Sequence, residues 1–364
     1  MGSSGQRPDY EFVDMNTRGG EAVATAFANQ VAYCTAAGAP VTARVVGGIG
    51  AVLASDTPGL LLDRVRGWQG APLADALPLR VAGGLHALHL SGTAPALDPI
   101  YGAEAADDAR IIAGVIAEHE MALLPWLDGP PQTNEAGRSA NFIAAMLWLA
   151  DRGCPARFQC LEIGSSAGIN LMLDRFSYDL GGVQTGPDPA LMHFAPVWTG
   201  AAPPSQAIAV ADTKGCDVAP VDLTDPADAL RLKAYIWPEH TVRFERMDAA
   251  IRAAAIRKPD VVQATAADFV EAELAKPQES DTTRMLMHSI VWQYVPKDQQ
   301  DRVTAAMEAA GAEATSDRPL VWVMVEADRT VHRHKLTVRR WPGGGEEVQL
   351  AWSHPHGADI EWVV

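Results

Sequence analysis

The sequence predicts an α/β protein in which a doubly wound, mostly parallel sheet ends in an antiparallel C-terminal hairpin and follows an α-helical domain. Three observations predict it. Up to about residue 150 apolar residues recur at helical spacing with no strand-like run. Beyond residue 153 short apolar runs alternate with helical stretches, the pattern of parallel strands joined by crossovers. The end of the chain reads as strand, glycine turn and strand.

In chain order, residues 1–15 are expected to form a flexible tail, 16–152 the helical domain and 153–364 the α/β domain. Val23, Phe27, Val31 and Cys34 mark one amphipathic stripe, and Val41, Val45, Ile49, Val52 and Leu53 a second. Gly- and Pro-containing breaks separate further helices at about 78–91, 106–124 and 139–151. Strands are expected at Leu161–Gly164, Ala207–Ala211, Val261–Ala264, Arg284–Ser289 and Leu320–Glu326. A helix should follow the first of them, because Ile169, Met172, Leu173 and Phe176 recur at i, i+3, i+4 and i+7. The stretch from Tyr178 to Pro204, rich in Gly and Pro, reads as an inserted loop. Lys335–Trp341 and Glu347–Trp352 flank Gly343, Gly344 and Gly345 as a hairpin.

Composition narrows the function classes. The 364 residues are 48% hydrophobic and 20% charged, as in a soluble globular protein, and the formal net charge of -16 argues against nucleic-acid and anionic-membrane partners. A small-molecule or protein substrate is expected. Cys34, Cys154, Cys160 and Cys216 lack paired spacing, so neither a zinc ribbon nor a disulfide framework is predicted and a reducing cytoplasm fits. No run approaches eighteen apolar residues and no basic-then-apolar leader opens the chain.

The densest signal is Leu161-Glu-Ile-Gly-Ser-Ser-Ala-Gly-Ile-Asn170, an apolar strand ending in an acid and followed by a small-residue loop. Gly164, Ser165, Ser166 and Gly168 are expected to bring bare amides to a ligand at a helix N-terminus, with Asn170 beside them. Glu162 would accept hydrogen bonds from a cationic amino group or a ribose at the carboxyl edge of the sheet.

Five α/β units closed by an antiparallel hairpin, together with this loop, resemble the Rossmann-like core of the class I S-adenosylmethionine-dependent methyltransferases over residues 155–364. The resemblance implies S-adenosylmethionine as cofactor. Glu162 matches the acid of the first motif and Gly164 and Gly168 two of its glycines, with Ser166 in place of the middle one. Asp217, in Gly215-Cys216-Asp217, matches the ribose-binding acid. Thr265 stands where the third motif carries an acid, and Asp268 either substitutes for it or serves as a helix N-cap. His288 and Tyr294, in His288-Ser-Ile-Val-Trp-Gln-Tyr294, fall where a base or orienting group faces the methyl acceptor, the alternative for His288 being a core histidine.

A polar cluster, Gln132–Asn141, lies in the helical half. Thr133, Asn134, Glu135, Arg138 and Asn141, with Trp292, are candidate substrate contacts, Arg138 toward a carboxylate and Glu135 toward an amine or hydroxyl. The alternative is a helix terminus capped by Thr133 or Asn134, with Arg138 solvated. This string, the Glu162 loop and the His288–Tyr294 segment resemble a bacterial family catalogued as domain of unknown function family 2332, over nearly the whole chain.

Other readings stay open. Gly164-x-Ser166-x-Gly168 is also a nucleophile elbow, with Ser166 as nucleophile, Asp328 or another later acid, and His354 or His356 as base. The full spacing of a dinucleotide fingerprint is missing. His332 and His334, like His354 and His356, are spaced to share a strand face, yet no further ligand is placed by sequence, and no metal site is predicted. A cofactor-binding or scaffold protein without catalysis is the third class.

Overall fold

The computed structural model describes residues 16–331 and 333–364, so the tail expected over residues 1–15, and His332, lie outside the described residues. Packing divides the chain into two units, one running up to Thr133 and including Pro226–Phe244, the other comprising Asn134–Asp225 and Glu245–Val364. Against a linear division near residue 152, the helix at 139–151 counts with the second unit and 226–244 with the first.

The first unit is helical: α1 (Gly20–Ala36), α2 (Pro40–Ala54), α3 (Leu60–Arg66), α4 (Leu77–Leu90), α5 (Asp98–Tyr101) and α6 (Asp108–Leu123). The next helix, α7 (Ser139–Asp151), opens the second unit, and α8 (Pro226–Ala234) is again part of the first. The two stripes read from sequence bury Val23, Phe27, Val45 and Ile49 in one core with Ile112 and Val115 of α6. Burying side chains of this size stabilises by roughly 1.5–3 kcal/mol each. Helix α4 approaches its neighbours at Gly83 and Gly84, where a Cβ would stand 2.7 Å from the Tyr235 ring and 2.8 Å from Leu123.

In the second unit the strands are β1 (Arg157–Ile163), β2 (Phe176–Leu180), β3 (Val183–Thr185), β4 (Met192–Phe194), β5 (Val197–Thr199) and β6 (Ala209–Asp217). After α9 (Thr241–Ile256), whose first turn counts with the first unit, come β7 (Val261–Gln263), α10 (Ala266–Leu274), β8 (Thr283–Ser289), α11 (Lys297–Ala312), β9 (Leu320–Asp328), β10 (Arg333–Trp341), β11 (Val348–Ser353) and β12 (Asp359–Trp362). Nine strands form one mostly parallel sheet in the order β5-β12-β11-β10-β9-β8-β1-β6-β7. From β7 to β9 every pair is parallel, while β10, β11 and β12 follow as antiparallel neighbours, so the hairpin expected at residues 335–352 is β10 and β11.

Two expectations are corrected. The residues after the small loop form a short 3-10 turn, Asn170–Arg175, and not an α-helix; Phe176 then starts β2. Phe176, Tyr178 and Leu180 are buried at a period of two while β2 pairs with β3 and β4, and this pairing outweighs the helical spacing of Ile169, Met172 and Phe176. The stretch 178–204 is accordingly more than a loop: β3-β2-β4 is a separate three-stranded sheet, and β5 pairs with β12 at the edge of the large one.

Leu161 and Ile163 of β1, Leu286 of β8 and Trp322 of β9 pack on one side of the large sheet against Phe269 and Val270 of α10 and Val303 and Met307 of α11. Successive side chains along a strand point to opposite faces. Glu162 therefore belongs to the face away from α10 and α11, whereas His288 and Glu326 share the face of Leu286 and Trp322.

Candidate functional site

In an open parallel sheet the ligand crevice lies at the carboxyl ends of the strands where the winding reverses. Here that place is the end of β1, between β6 and β8. Gly164, Ser166 and Gly168 have φ values of 66°, 52° and 70°, so this loop turns through three left-handed residues, one of them not glycine.

Four of the loop's amides are not bare. Ser165 N donates to Cys216 O at 3.0 Å, Gly168 N to Ser165 O at 2.7 Å, Ser166 N to Asp217 Oδ2 at 2.8 Å and Ile169 N to Asn134 Oδ1 at 2.9 Å. The glycines' open sides are filled as well. A Cβ at Gly164 would stand 2.9 Å from Val291 Cβ, and one at Gly168 2.6 Å from Pro259 Cβ. With four of its amides engaged and no α-helix behind it, the loop differs from the helix N-terminus that the sequence suggests.

What it offers instead is acceptors. Glu162 is 1% exposed; Asn170 Nδ2 donates to its Oε1 at 3.1 Å, and its Oε2 has no partner. Ser166 Oγ, Asn170 Oδ1 and, on α7, Asn141 Oδ1 are likewise buried without partners. Such atoms are costly, about 1–3 kcal/mol each, unless water or a ligand meets them. Burial pushes the Glu162 carboxyl up to about 8, aided by the negative charge of Asp217 and opposed by the bond from Asn170 and the charge of Arg138.

Asp217 ends β6 beside this loop. Its Oδ2 holds Ser166 N and its Oδ1 accepts from Ala219 N at 2.9 Å, leaving a second lone pair on each oxygen. The third-motif residues follow β7, next to which Ala264 N donates to Asp217 O at 3.1 Å. Thr265 is the N-cap of α10, accepting from Asp268 N at 3.3 Å, and Asp268 turns outward to Arg302 at 2.8 Å. Asp268 is thus the third residue of the capped turn rather than its cap.

His288 lies on the other face and is fully buried. Its Nδ1 is 2.7 Å from Glu326 Oε1, its ring stacks on Trp292 at 5.1 Å, and its Nε2 has no partner. The same Glu326 oxygen accepts from Val291 N at 3.1 Å and Trp292 N at 3.2 Å. Although burial opposes it, His288 and these two amides hold the Glu326 carboxyl below its ordinary range. The pair thereby fixes the loop after β8, in which Ile290, a β-branched residue, adopts φ 54°. Tyr294, in the same loop, is 70% exposed.

The Gln132–Asn141 cluster divides. Thr133 is exposed, whereas Asn134, Glu135, Arg138 and Asn141 are buried. Asn134 holds the small loop at Ile169, and Arg138 donates through Nε to Pro355 O at 2.7 Å and through an Nη to Ser289 O at 3.5 Å. Arg138 is not solvated and no side chain caps α7. His356 Nδ1 lies 3.9 Å from Glu135 Oε1, in the turn joining β11 and β12. His354 Nδ1 takes the His356 amide at 3.1 Å, so this pair shares a turn and not a strand face. Asp328 accepts from the Thr330 amide and hydroxyl. Among the described residues no group of three or more His, Cys, Asp or Glu is arranged to hold a metal ion.

Glu326 is the residue that sequence reasoning misses. Its signal resembles that of Glu162, an acid closing an apolar strand, but its partner lies 38 positions away on β8. Neither the curated proteins nor the solved structures contain a match to this chain. The family model described as "Uncharacterized protein conserved in bacteria (DUF2332)" matches residues 24–362, and the chain belongs to that family.

Proposed function

We propose that the second unit binds S-adenosylmethionine at the carboxyl ends of β1 and β6 and acts as a methyltransferase on a small molecule. The carrying observation is the acceptor set of Glu162, Ser166, Asn170 and Asp217, in which buried oxygens without partners lie next to two acids on adjacent parallel strands. Such a set suits a ligand that brings N–H and O–H donors and positive charge, and this cofactor carries an ammonium, a sulfonium and ribose hydroxyls. Glu162, Ser166 and Asn170 would hold the amino-acid end, and Asp217 the ribose through its remaining lone pairs. When bound, the cofactor supplies an electrophilic methyl group. The chain's part is to position: Arg138 and Glu135, buried at the entry to α7, would orient an acceptor bearing a carboxylate or an amine. His288 supports the β8 loop from the opposite face and is assigned a positioning role.

The hydrolase alternative finds less support. Ser166 Oγ has no histidine partner, Asp328 is engaged by Thr330, and His354 Nδ1 by the His356 amide.

Calorimetric titration with S-adenosylmethionine and S-adenosylhomocysteine tests the proposal. Binding with Kd on the order of micromolar, lost in a folded Asp217→Ala variant, supports it. Absence of binding to the folded wild-type protein overturns it.

A further inference from the structure

We infer that Glu162 selects ligands by charge: its unpartnered oxygen receives a cationic N–H donor, and the carboxyl releases its proton to solvent as the cation arrives. This rests on the cofactor reading for the identity of the ligand, but not for the chemistry at Glu162.

Three observations converge. Glu162 is buried at the end of β1 with one oxygen held by Asn170 Nδ2 and the other unmet. The neighbouring orphans, Ser166 Oγ and Asn170 Oδ1, are also able to accept. Four amides of this loop, those of Ser165, Ser166, Gly168 and Ile169, are spent within the protein. A neutral donor can occupy such a place while Glu162 keeps its proton. A cation does more, because its charge next to the carboxylate offsets the cost of burying that charge. In the exchange the carboxyl O–H bond breaks and the proton leaves to bulk water. The ammonium keeps its own protons, and the buried site ends with a neutral ion pair.

The groups whose charge bears on Glu162 are Asp217 on β6 and Arg138 before α7; the buried Cys160 and Cys216 thiols, both pushed up by burial, stay neutral beside it. Asp217 disfavours the carboxylate and Arg138 favours it, the Arg138 guanidinium being bonded to Pro355 O and Ser289 O.

The test is calorimetry at pH 7 in buffers of differing ionisation enthalpy. S-adenosylhomocysteine is compared with 5′-methylthioadenosine, which has the nucleoside thioether but no ammonium. With the carboxyl held near 8, homocysteine-nucleoside binding releases about 0.9 proton, whereas methylthioadenosine releases none. In Glu162→Gln the release vanishes and the preference for the charged ligand falls at least tenfold. Equal proton release by both ligands, or unchanged release in Glu162→Gln, overturns the inference.

If neither nucleoside binds, the cofactor reading fails and Glu162 is judged by infrared difference spectra with methylammonium. A protonated-carboxyl band that is absent from Glu162→Gln, bleached by methylammonium and untouched by methanol, sustains the assignment. A ligand-free protein without that band, or one indifferent to methylammonium, refutes it.

Discussion

The side chain of Val291 fills the place that a Cβ at Gly164 would need, its own Cβ lying 2.9 Å from that point. The loop after β8 is thus seated on the loop after β1, and the first motif glycine is explained by packing as well as by its left-handed φ of 66°. An alanine at residue 164 meets both obstacles: roughly 1–2 kcal/mol for the left-handed backbone and about 1–3 kcal/mol for overpacking. Gly164→Ala is expected to destabilise by about 2–4 kcal/mol in urea unfolding. Val291→Ala in the same background should recover the packing part, about 1 kcal/mol or more, as a coupling in the double-mutant cycle. Strict additivity would show that the two residues do not meet.

Glu326 serves three donors, His288 Nδ1 and the amides of Val291 and Trp292, through one oxygen. Truncation to alanine leaves all three buried or half-buried without an acceptor, and a loss of roughly 3–5 kcal/mol is expected. The carboxyl's folded pKa is depressed, so its contribution is present above the unfolded value and is lost as pH falls through the folded one. Stability of the wild type should therefore drop on acidification below about pH 4, and Glu326→Ala should show a shallower drop over the same range. An identical slope in both proteins would remove Glu326 from the acid response.

In the first unit, His86 on α4 places Nδ1 2.9 Å from Ala234 O on α8, and its ring stacks on Tyr101 at 5.1 Å. Burial lowers its pKa from 6.5 to about 4, against the raising effect of the Ala234 carbonyl. At His86 the folded state binds fewer protons than the unfolded one through that window, so its contribution to stability is complete above pH 6.5 and declines as pH falls toward 4. At about 1.4 kcal/mol per pH unit the loss amounts to roughly 3 kcal/mol. Hydrogen exchange in α4 and α8 should accelerate between pH 6.5 and 4 beyond the intrinsic trend, and His86→Gln should abolish the excess.

Much of this architecture is legible because burial writes a period into the chain. The helices near 78–91, 106–124 and 139–151 correspond to α4, α6 and α7, and the strand runs at 161, 261, 284 and 320 to β1, β7, β8 and β9. Phe176 shows where the period misleads. It is the eighth residue of a helical stripe and also the first of the alternating set Phe176, Tyr178 and Leu180, and only pairing with β3 and β4 decides between them. Side-chain partnerships are less legible still. Local pattern puts Glu162 and Asp217 at strand ends, but the Asp217 bond to Ser166 N depends on the β1–β6 register. That His288 faces away from Glu162 follows from strand alternation once β1 and β8 are known to pair, and no single segment carries that information.

Glu162 inverts the usual acid rule, and its effect can be measured without any ligand. With its folded pKa raised from 4.5 to about 8, the native state holds a proton that the unfolded chain has lost. The contribution of Glu162 is full below pH 4.5 and falls as pH rises to about 8. By pH 7 the accumulated cost is roughly 3 kcal/mol at ~1.4 kcal/mol per pH unit. Glutamine retains the size, accepts from Asn170 as Glu162 Oε1 does, and has no proton to lose. Glu162→Gln is therefore expected to match the wild type near pH 4.5 and to exceed its unfolding free energy by a few kcal/mol at pH 8. The gap should open steadily with pH in urea titrations. A gap that is constant with pH would mean that Glu162 is ionised throughout and already paired, and the carboxyl could not then act as the proton source described above.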